Sequence, residues 1–339
     1  MLNAWRRHQN IASIALAFLF LFQFYKSFFM VKLHGQFLAL ESNGGRLGNQ
    51  LFHLCSGYAI GRKLGRRHYI RSLNAQGFYI GGHLEKITAI FPKLVHTFIV
   101  LEARNEYRVP FAQKDGVISC CEYEDPTRLR GKTEQFLVLE IHYAQNVRYI
   151  EDMVSEIRQI LQFSADVQQN GDDILRRMNI GNSSNMCAHI RRSDFVEMNV
   201  ASDFNASVRD IHEIANDQGL SNVFLFGDDV NFMERLGESL IRMDKREKKE
   251  QESRFVAFQE VKYFMNSEGV DLYLASRVCS AMLITAPTST FGWWLAFFIR
   301  NQNAVFYSND NRTMVDKTPR KDLFLSSWRT YVSSESNAL

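Results

Sequence analysis

The 339 residues predict an α/β chain of two Rossmann-like lobes facing a cleft, preceded by an N-terminal transmembrane anchor. Three observations predict it. An apolar run opens the chain. A unit of strand, glycine-rich turn, helix and strand follows. Short apolar strands then alternate with helical patterns through the C-terminal half. Hydrophobic residues make up 46% and charged residues 23%, ordinary for a globular chain, and 27 phenylalanines promise an aromatic core. A net charge of +3 gives no support to nucleic-acid binding, though it leaves room for a local basic pocket.

The leader comes first. Ile11 to Tyr25 is apolar except for Ser13 and Gln23, and the run continues weakly to Val31, about the length of a spanning helix. Arg6 and Arg7 place residues 1–10 on the cytoplasmic side as a short tail. An anchor at 11–31 in the lipid bilayer is preferred to a cleaved signal peptide. Bulky Phe28, Phe29 and Met30 stand where a cleavage site needs small residues. Either reading sends the rest of the chain into the secretory lumen. The sequons at Asn182, Asn205 and Asn311 fit that address. The cysteines Cys55, Cys120, Cys121, Cys187 and Cys279 contain no C-x-x-C pair, so zinc is not expected. Their odd number leaves at least one thiol free or paired with another chain.

Phe37 to Leu40 reads as a buried strand and Asn43 to Gln50 as the glycine turn. Leu51, Leu54, Cys55, Tyr58 and Ala59 then recur at helical spacing, and His68 to Ile70 begins the next strand. The first lobe, with a short stem, is assigned to 32–165. A polar cluster from Gln162 to Gly171 marks the boundary. The second lobe, 166–339, offers strands at Met186–Ile190, Val223–Phe226, Ala281–Thr285 and Ala304–Tyr307. Its helices are expected at Asp271–Cys279 and Phe291–Ile299. Asp244 to Glu252 reads as a solvated run of mixed charge.

Four segments carry candidate chemistry. His189-Ile190-Arg191-Arg192-Ser193-Asp194 lies at the end of a strand, where ligands of open α/β sheets bind. Alternation puts His189 and Arg191 on one face, with Arg191 placed to fork onto a diphosphate. Arg192 and Asp194 either pair with each other or brace the loop. Ser289, Thr290 and Phe291 open a helix whose first amides and hydroxyls suit an anion, or simply cap it. The Trp293–Trp294 pair belongs in the core. Gly44, Gly45 and Gly48 allow close backbone approach, and Asn49 and Gln50 follow at the helix start. The spacing is not G-x-G-x-x-G, so a dinucleotide cofactor is disfavoured. Asp228 and Asp229 follow a strand. They suit guanine, ribose or a metal, or a helix N-cap.

Together these segments resemble the galactoside α-1,2-fucosyltransferase family, glycosyltransferase family 11. Gly44 to Phe52 matches its first motif and His189 to Asp194 its second. Phe226 to Asp229 matches the third, with Gly227 in place of Ser. Ser289 to Trp294 matches the fourth. Glu140 to Tyr149 looks like a divergent copy of a further family stretch. The motifs come in family order over roughly residues 40 to 300. The resemblance implies a GT-B fold, a GDP-fucose donor, a galactose-terminated glycan acceptor, inversion at the sugar carbon, and no metal or other cofactor. It also implies a single-pass type II protein of the Golgi membrane with a lumenal catalytic domain.

The implied donor-binding residues are Gly48, Asn49, His189, Arg191, Arg192, Asp228, Asp229, Ser289, Thr290 and Phe291. Negative charge builds on the β-phosphate as the glycosidic bond breaks, and Arg191 with the Ser289–Thr290 helix start would stabilise it. Asp194 and Glu197 are the candidates for the base that takes the acceptor proton, with a base in the N-terminal lobe as the alternative. The rival readings are a protein O-fucosyltransferase or other GDP-sugar transferase, and an inactive, membrane-anchored glycan-binding relative.

Overall fold

In the computed structural model, residues 34–41, 44–72, 81–180, 185–250 and 258–332 are described. The expected tail and anchor, Asn43, and the sequon at Asn182 lie outside them. Among the described residues no helix is long and apolar enough to cross a membrane.

The first sheet is built from β1 (Phe37–Leu40), β2 (Arg67–Arg71), β3 (Ile99–Leu101) and β4 (Glu106–Pro110). A small antiparallel pair, β5 (Gln113–Lys114) and β6 (Val117–Ile118), precedes its last strand, β7 (Phe136–Glu140). The sheet order is β3-β2-β1-β7-β4, with every pair parallel. The second sheet is built from β8 (Asn185–Ile190), β9 (Asn222–Gly227), β10 (Glu260–Phe264), β11 (Ala281–Ile284), β12 (Val305–Ser308) and β13 (Arg329–Tyr331). Its order is β10-β9-β8-β11-β12-β13, also parallel throughout. Counted along the chain this is 3-2-1-4-5-6, the order of a doubly wound sheet. Such strands are covered on both faces, which is why β1, β8 and β11 are buried along nearly their whole length.

Helices fill the crossovers: α1 (Leu47–Leu64), α2 (Gly81–Ile90), α3 (Val154–Ile160), α4 (Ala165–Arg177), α5 (Ser193–Glu197), α6 (Phe204–Gln218), α7 (Val230–Glu250), α8 (Glu268–Val278) and α9 (Thr290–Phe298). Helix α1 ends where Gly65 takes a left-handed conformation and its N–H returns to Arg62. The polar stretch Gln162–Gly171 runs through a turn into α4, with the Ser164 hydroxyl accepting from the Val167 amide. Its polarity is that of a capped, partly exposed helix start.

Side-chain alternation divides the core. Leu38 and Leu40 of β1, Leu137 and Leu139 of β7, Phe224 of β9, and Met282 and Ile284 of β11 join one apolar cluster fed by both sheets. Ala188, Leu225 and Leu283 face a second cluster, and Phe37, Ala39 and Val138 a third. Gln36–Leu339 accordingly forms one compact unit. Helix α9 is the hub of the shared core. Its Trp293 and Trp294 are buried, and their indole N–H groups donate to Leu323 O at 2.8 Å and Gly48 O at 2.9 Å. Both tryptophans are core residues, as expected from the sequence.

Two disulfides form. Cys187 on β8 joins Cys279 just after α8, and adjacent Cys120 and Cys121 join each other. The odd thiol is Cys55, buried in α1, where burial raises its pKa to about 12.

Candidate active site

In a doubly wound sheet the crevice opens where neighbouring strands send their connections to opposite sides. In the second sheet that point lies between β8 and β11. In the first it lies between β1 and β7. A cavity of about 540 Å³ occupies this region. The segments leaving all four strands reach it: Gly45–Asn49 after β1, His142–Gln145 after β7, Arg191–Asp194 after β8, and Thr288–Phe291 after β11.

Arg191 is not a free cation. Its Nη1 donates to Asp228 and its Nη2 to Asp194, and the guanidinium lies 4.8 Å from the centre of the Phe195 ring. The Ser193 hydroxyl donates to Asp228 at 2.6 Å, and the Arg192 amide donates to it at 2.8 Å. Asp194 also receives Arg46 Nη2, 2.8 Å from each of its oxygens. Two carboxylates therefore fix the Arg191 fork at the cavity edge, leaving some of its five donors for a ligand. His189 lies on the same wall, as alternation requires. Burial lowers its pKa to about 4, against the opposing pull of Asp228, so its ring is neutral.

Three predicted residues lie off the cavity wall. Arg192 points the other way, over the Phe232 ring at 4.2 Å. It pairs with Asp229 at 3.3 Å and not with Asp194. Asp229 caps α7 by accepting from the Phe232 amide at 3.0 Å, so of the two acids only Asp228 reaches the cavity. Glu197 sits exposed on the last turn of α5 and faces solvent.

The hydroxyls at α9 both have protein partners, and Ser289 takes the capping alternative. Ser289 Oγ accepts from the Gly292 amide as an N-cap, and Thr290 Oγ1 donates to Asn49 Oδ1 at 2.8 Å. In this turn the buried hydroxyl with no partner among the described residues is that of Thr288, one residue earlier. Gly48 packs on this turn. A Cβ there would stand 2.7 Å from Thr290 Oγ1 and 2.8 Å from the Phe291 amide, so only glycine fits.

On the other wall, sequence reasoning named Asn49 and the Glu140–Tyr149 stretch but gave Gln145 no role and did not find Lys317. Asn49 Oδ1 also accepts from Gln145 Nε2 at 3.1 Å, and Gln145 Oε1 accepts from Lys317 Nζ at 2.8 Å. Lys317 donates again to Thr288 O at 2.9 Å, closing a polar ring across the site. Burial lowers the Lys317 pKa to about 7. Lys317 belongs to a tight turn in which the Met314 and Lys317 main chains exchange hydrogen bonds of 2.9 Å. No glycine, proline or motif marks that turn. Glu268 and Asp271 of α8 also face the cavity, and burial raises both, Asp271 to about 6. With Asp194, Asp228 and Asp316 they outnumber Arg46, Arg191 and Lys317, so the basic pocket is a corner of an otherwise acidic cavity.

No family model matches the chain. It is 28% identical over 308 residues to a galactoside 2-alpha-L-fucosyltransferase of Caenorhabditis elegans, covering 86% of this chain and 79% of that one. It is 27% identical over 292 residues to a second protein of the same name and organism, covering 80% and 70%. The chain is a glycosyltransferase related to the galactoside 2-alpha-L-fucosyltransferases. The fucosyltransferase NodZ of Bradyrhizobium superposes with a TM-score of 0.48 at 16% identity, over 78% of the transferase and 92% of NodZ. Of the transferase's expected glycosylation sites, Asn205 is exposed in the first turn of α6 and Asn311 is exposed in the loop after β12.

Proposed function

We propose that this transferase moves fucose from GDP-fucose to a galactose-terminated glycan, with inversion, forming an α-1,2 linkage. The observation that carries the reading is the Arg191 fork held by Asp194 and Asp228 beside the unpartnered Thr288 hydroxyl and the start of α9. A helix start and a fixed guanidinium suit a diphosphate, and they oppose the charge that grows on the leaving β-phosphate. These groups do the electrostatic work without a divalent metal. The acidic remainder of the cavity, Asp228 included, suits the N–H and O–H donors of guanosine. The names of the relatives support the fucosyl donor and the galactoside acceptor.

The Cys187–Cys279 disulfide and the exposed sequons at Asn205 and Asn311 support a lumenal catalytic domain. With the leader at 11–31 they fit a type II Golgi membrane protein of two lobes, 32–165 and 166–339.

The test is a thermal-shift series with GDP, GDP-fucose, UDP-galactose and NAD, with and without EDTA, followed by transfer to a β-galactoside and to a folded protein module. Guanine nucleotides should protect selectively and in EDTA, by about 2.7 kcal/mol at a hundredfold excess over Kd. Fucose should pass to the β-galactoside. Equal protection by UDP-galactose, or turnover erased by EDTA, contradicts the reading. Transfer to the protein module alone would reassign the acceptor.

GDP binding is further expected to take up a proton. Lys317, lowered to about 7, is mostly neutral at pH 8 in the free protein. A diphosphate beside it favours the ammonium, so binding should draw in up to about one proton at pH 8 and tighten as pH falls from 9 towards 7. Asp271 at about 6 and His189 at about 4 titrate below that window. Calorimetry in two buffers of different ionisation enthalpy measures the uptake. Lys317→Met should remove it, and zero uptake by the unaltered protein contradicts the assignment.

A further inference from the structure

We infer that His142 is the general base of the transfer and that Asp316 positions it; the inference rests on the proposed fucosyl transfer. His142 Nδ1 lies 2.8 Å from Asp316 Oδ2, and both residues line the cavity that holds Arg191. A carboxylate only accepts, so in the neutral ring Asp316 selects the tautomer with the proton on Nδ1 and the lone pair on Nε2. Among the described residues nothing bonds Nε2. The Tyr143 ring lies beside it, tilted by 37°, 4.7 Å away between centroids.

Asp316 is itself held. Its Oδ2 also accepts from the Cys120 amide at 2.8 Å, and the Met314–Lys317 turn fixes its backbone. The turn delivers Asp316 to His142 and Lys317 to Gln145 and Thr288 in successive residues. One short connection from the C-terminal half thus joins the imidazole to the anion-binding corner.

The other acids of the cavity are already engaged: Glu268 accepts from the Leu47 amide, and Asp228 holds Arg191, the Ser193 hydroxyl and the Arg192 amide. Asp194 has both oxygens engaged by Arg46, and one of them also by Arg191. Asp271 accepts from the amide and the side chain of Asn266, closing that turn. Glu197 is off the wall. The dyad combines a free lone pair with an orienting carboxylate, the pattern a base needs.

The step balances simply. The bond between fucose C1 and the β-phosphate oxygen breaks, and its electron pair leaves with GDP. The acceptor hydroxyl oxygen bonds C1, and its proton passes to His142 Nε2. The imidazolium, facing Asp316 and with 38% of its side chain exposed, returns the proton to water.

The experiment measures kcat, donor KM and GDP affinity for the unaltered protein, His142→Ala, His142→Gln, Asp316→Asn and Asp271→Asn. Asp316 Oδ2 takes both the ring and the Cys120 amide, so Asn at 316 either keeps both contacts through its oxygen without the charge, or turns its NH2 to the ring, favours the wrong tautomer and gives up the Cys120 amide. We expect kcat to fall about 10²- to 10⁴-fold in both His142 variants and more than about tenfold in Asp316→Asn. GDP affinity should stay within about twofold, and imidazole should partly restore His142→Ala. A His142→Gln enzyme keeping more than a tenth of kcat overturns the inference. So does a loss of kcat confined to Asp271→Asn, or one matched by equal loss of GDP affinity. If the unaltered protein binds no GDP and transfers no fucose, the proposed function fails first and the dyad falls with it.

Discussion

Arg191→Ala is expected to lower kcat for fucosyl transfer about 10²- to 10³-fold while the protein stays folded. One preorganised donor aimed at developing charge is worth roughly 3–4 kcal/mol in the barrier. The fold should survive because both of the carboxylates that Arg191 joins keep other donors. Asp194 retains Arg46, and Asp228 retains the Arg192 amide and the Ser193 hydroxyl. Neither acid is fully buried, so water can replace the missing guanidinium at a cost of about 1–3 kcal/mol in stability. Arg191→Lys separates charge from geometry. Lysine keeps the charge but lacks the planar fork that bridges Asp194 and Asp228, so it should recover only part of the rate. Steady-state kinetics with a thermal midpoint for each variant measures this. If Arg191→Ala keeps more than about a tenth of kcat, Arg191 does not stabilise charge on this scale.

What the sequence made legible follows from how each element is encoded. The strands at the centres of both sheets are short apolar runs of alternating orientation, and alternation correctly put His189 and Arg191 on one wall. The site segments were found because ligands of such sheets gather at the carboxyl ends of strands, and glycines or hydroxyl residues mark those turns. The ion pairs were not legible. R-R-x-D reads equally well as Arg192 with Asp194 or Arg191 with Asp194. Only the placement of Asp228 beside β8 decides it. The turn carrying Asp316 and Lys317 was invisible for a different reason. Its residues are chemically ordinary in T-M-V-D-K-T, and their partners His142 and Gln145 lie more than 170 residues earlier in the chain. The shared core was also hidden. Helix α9 is apolar on all sides, and its sequence does not say which sheet it covers.

Removing the Cys187–Cys279 bond is expected to cost about 2–5 kcal/mol, a fall of roughly 3–8 °C in melting midpoint for a unit of this size. The bond closes a loop of 92 residues, and in the chain-entropy account long loops constrain the unfolded chain most. It ties β8, which leads into Arg191, to the end of α8, which precedes β11. The bond therefore tethers the two strands that flank the crevice. Cys120–Cys121 supplies a control, since adjacent residues close almost no loop and its removal should cost far less by this account. The comparison is the melting midpoint of Cys187→Ala/Cys279→Ala against Cys120→Ala/Cys121→Ala. The first pair also leaves buried volume unfilled, so Cys55→Ala, at another buried thiol, gauges that contribution. Equal losses in the two double variants contradict the loop-entropy argument. A large loss confined to the first pair means the second half reaches its full stability only in an oxidising compartment, and the same chain made in a reducing cytosol should melt like the double variant.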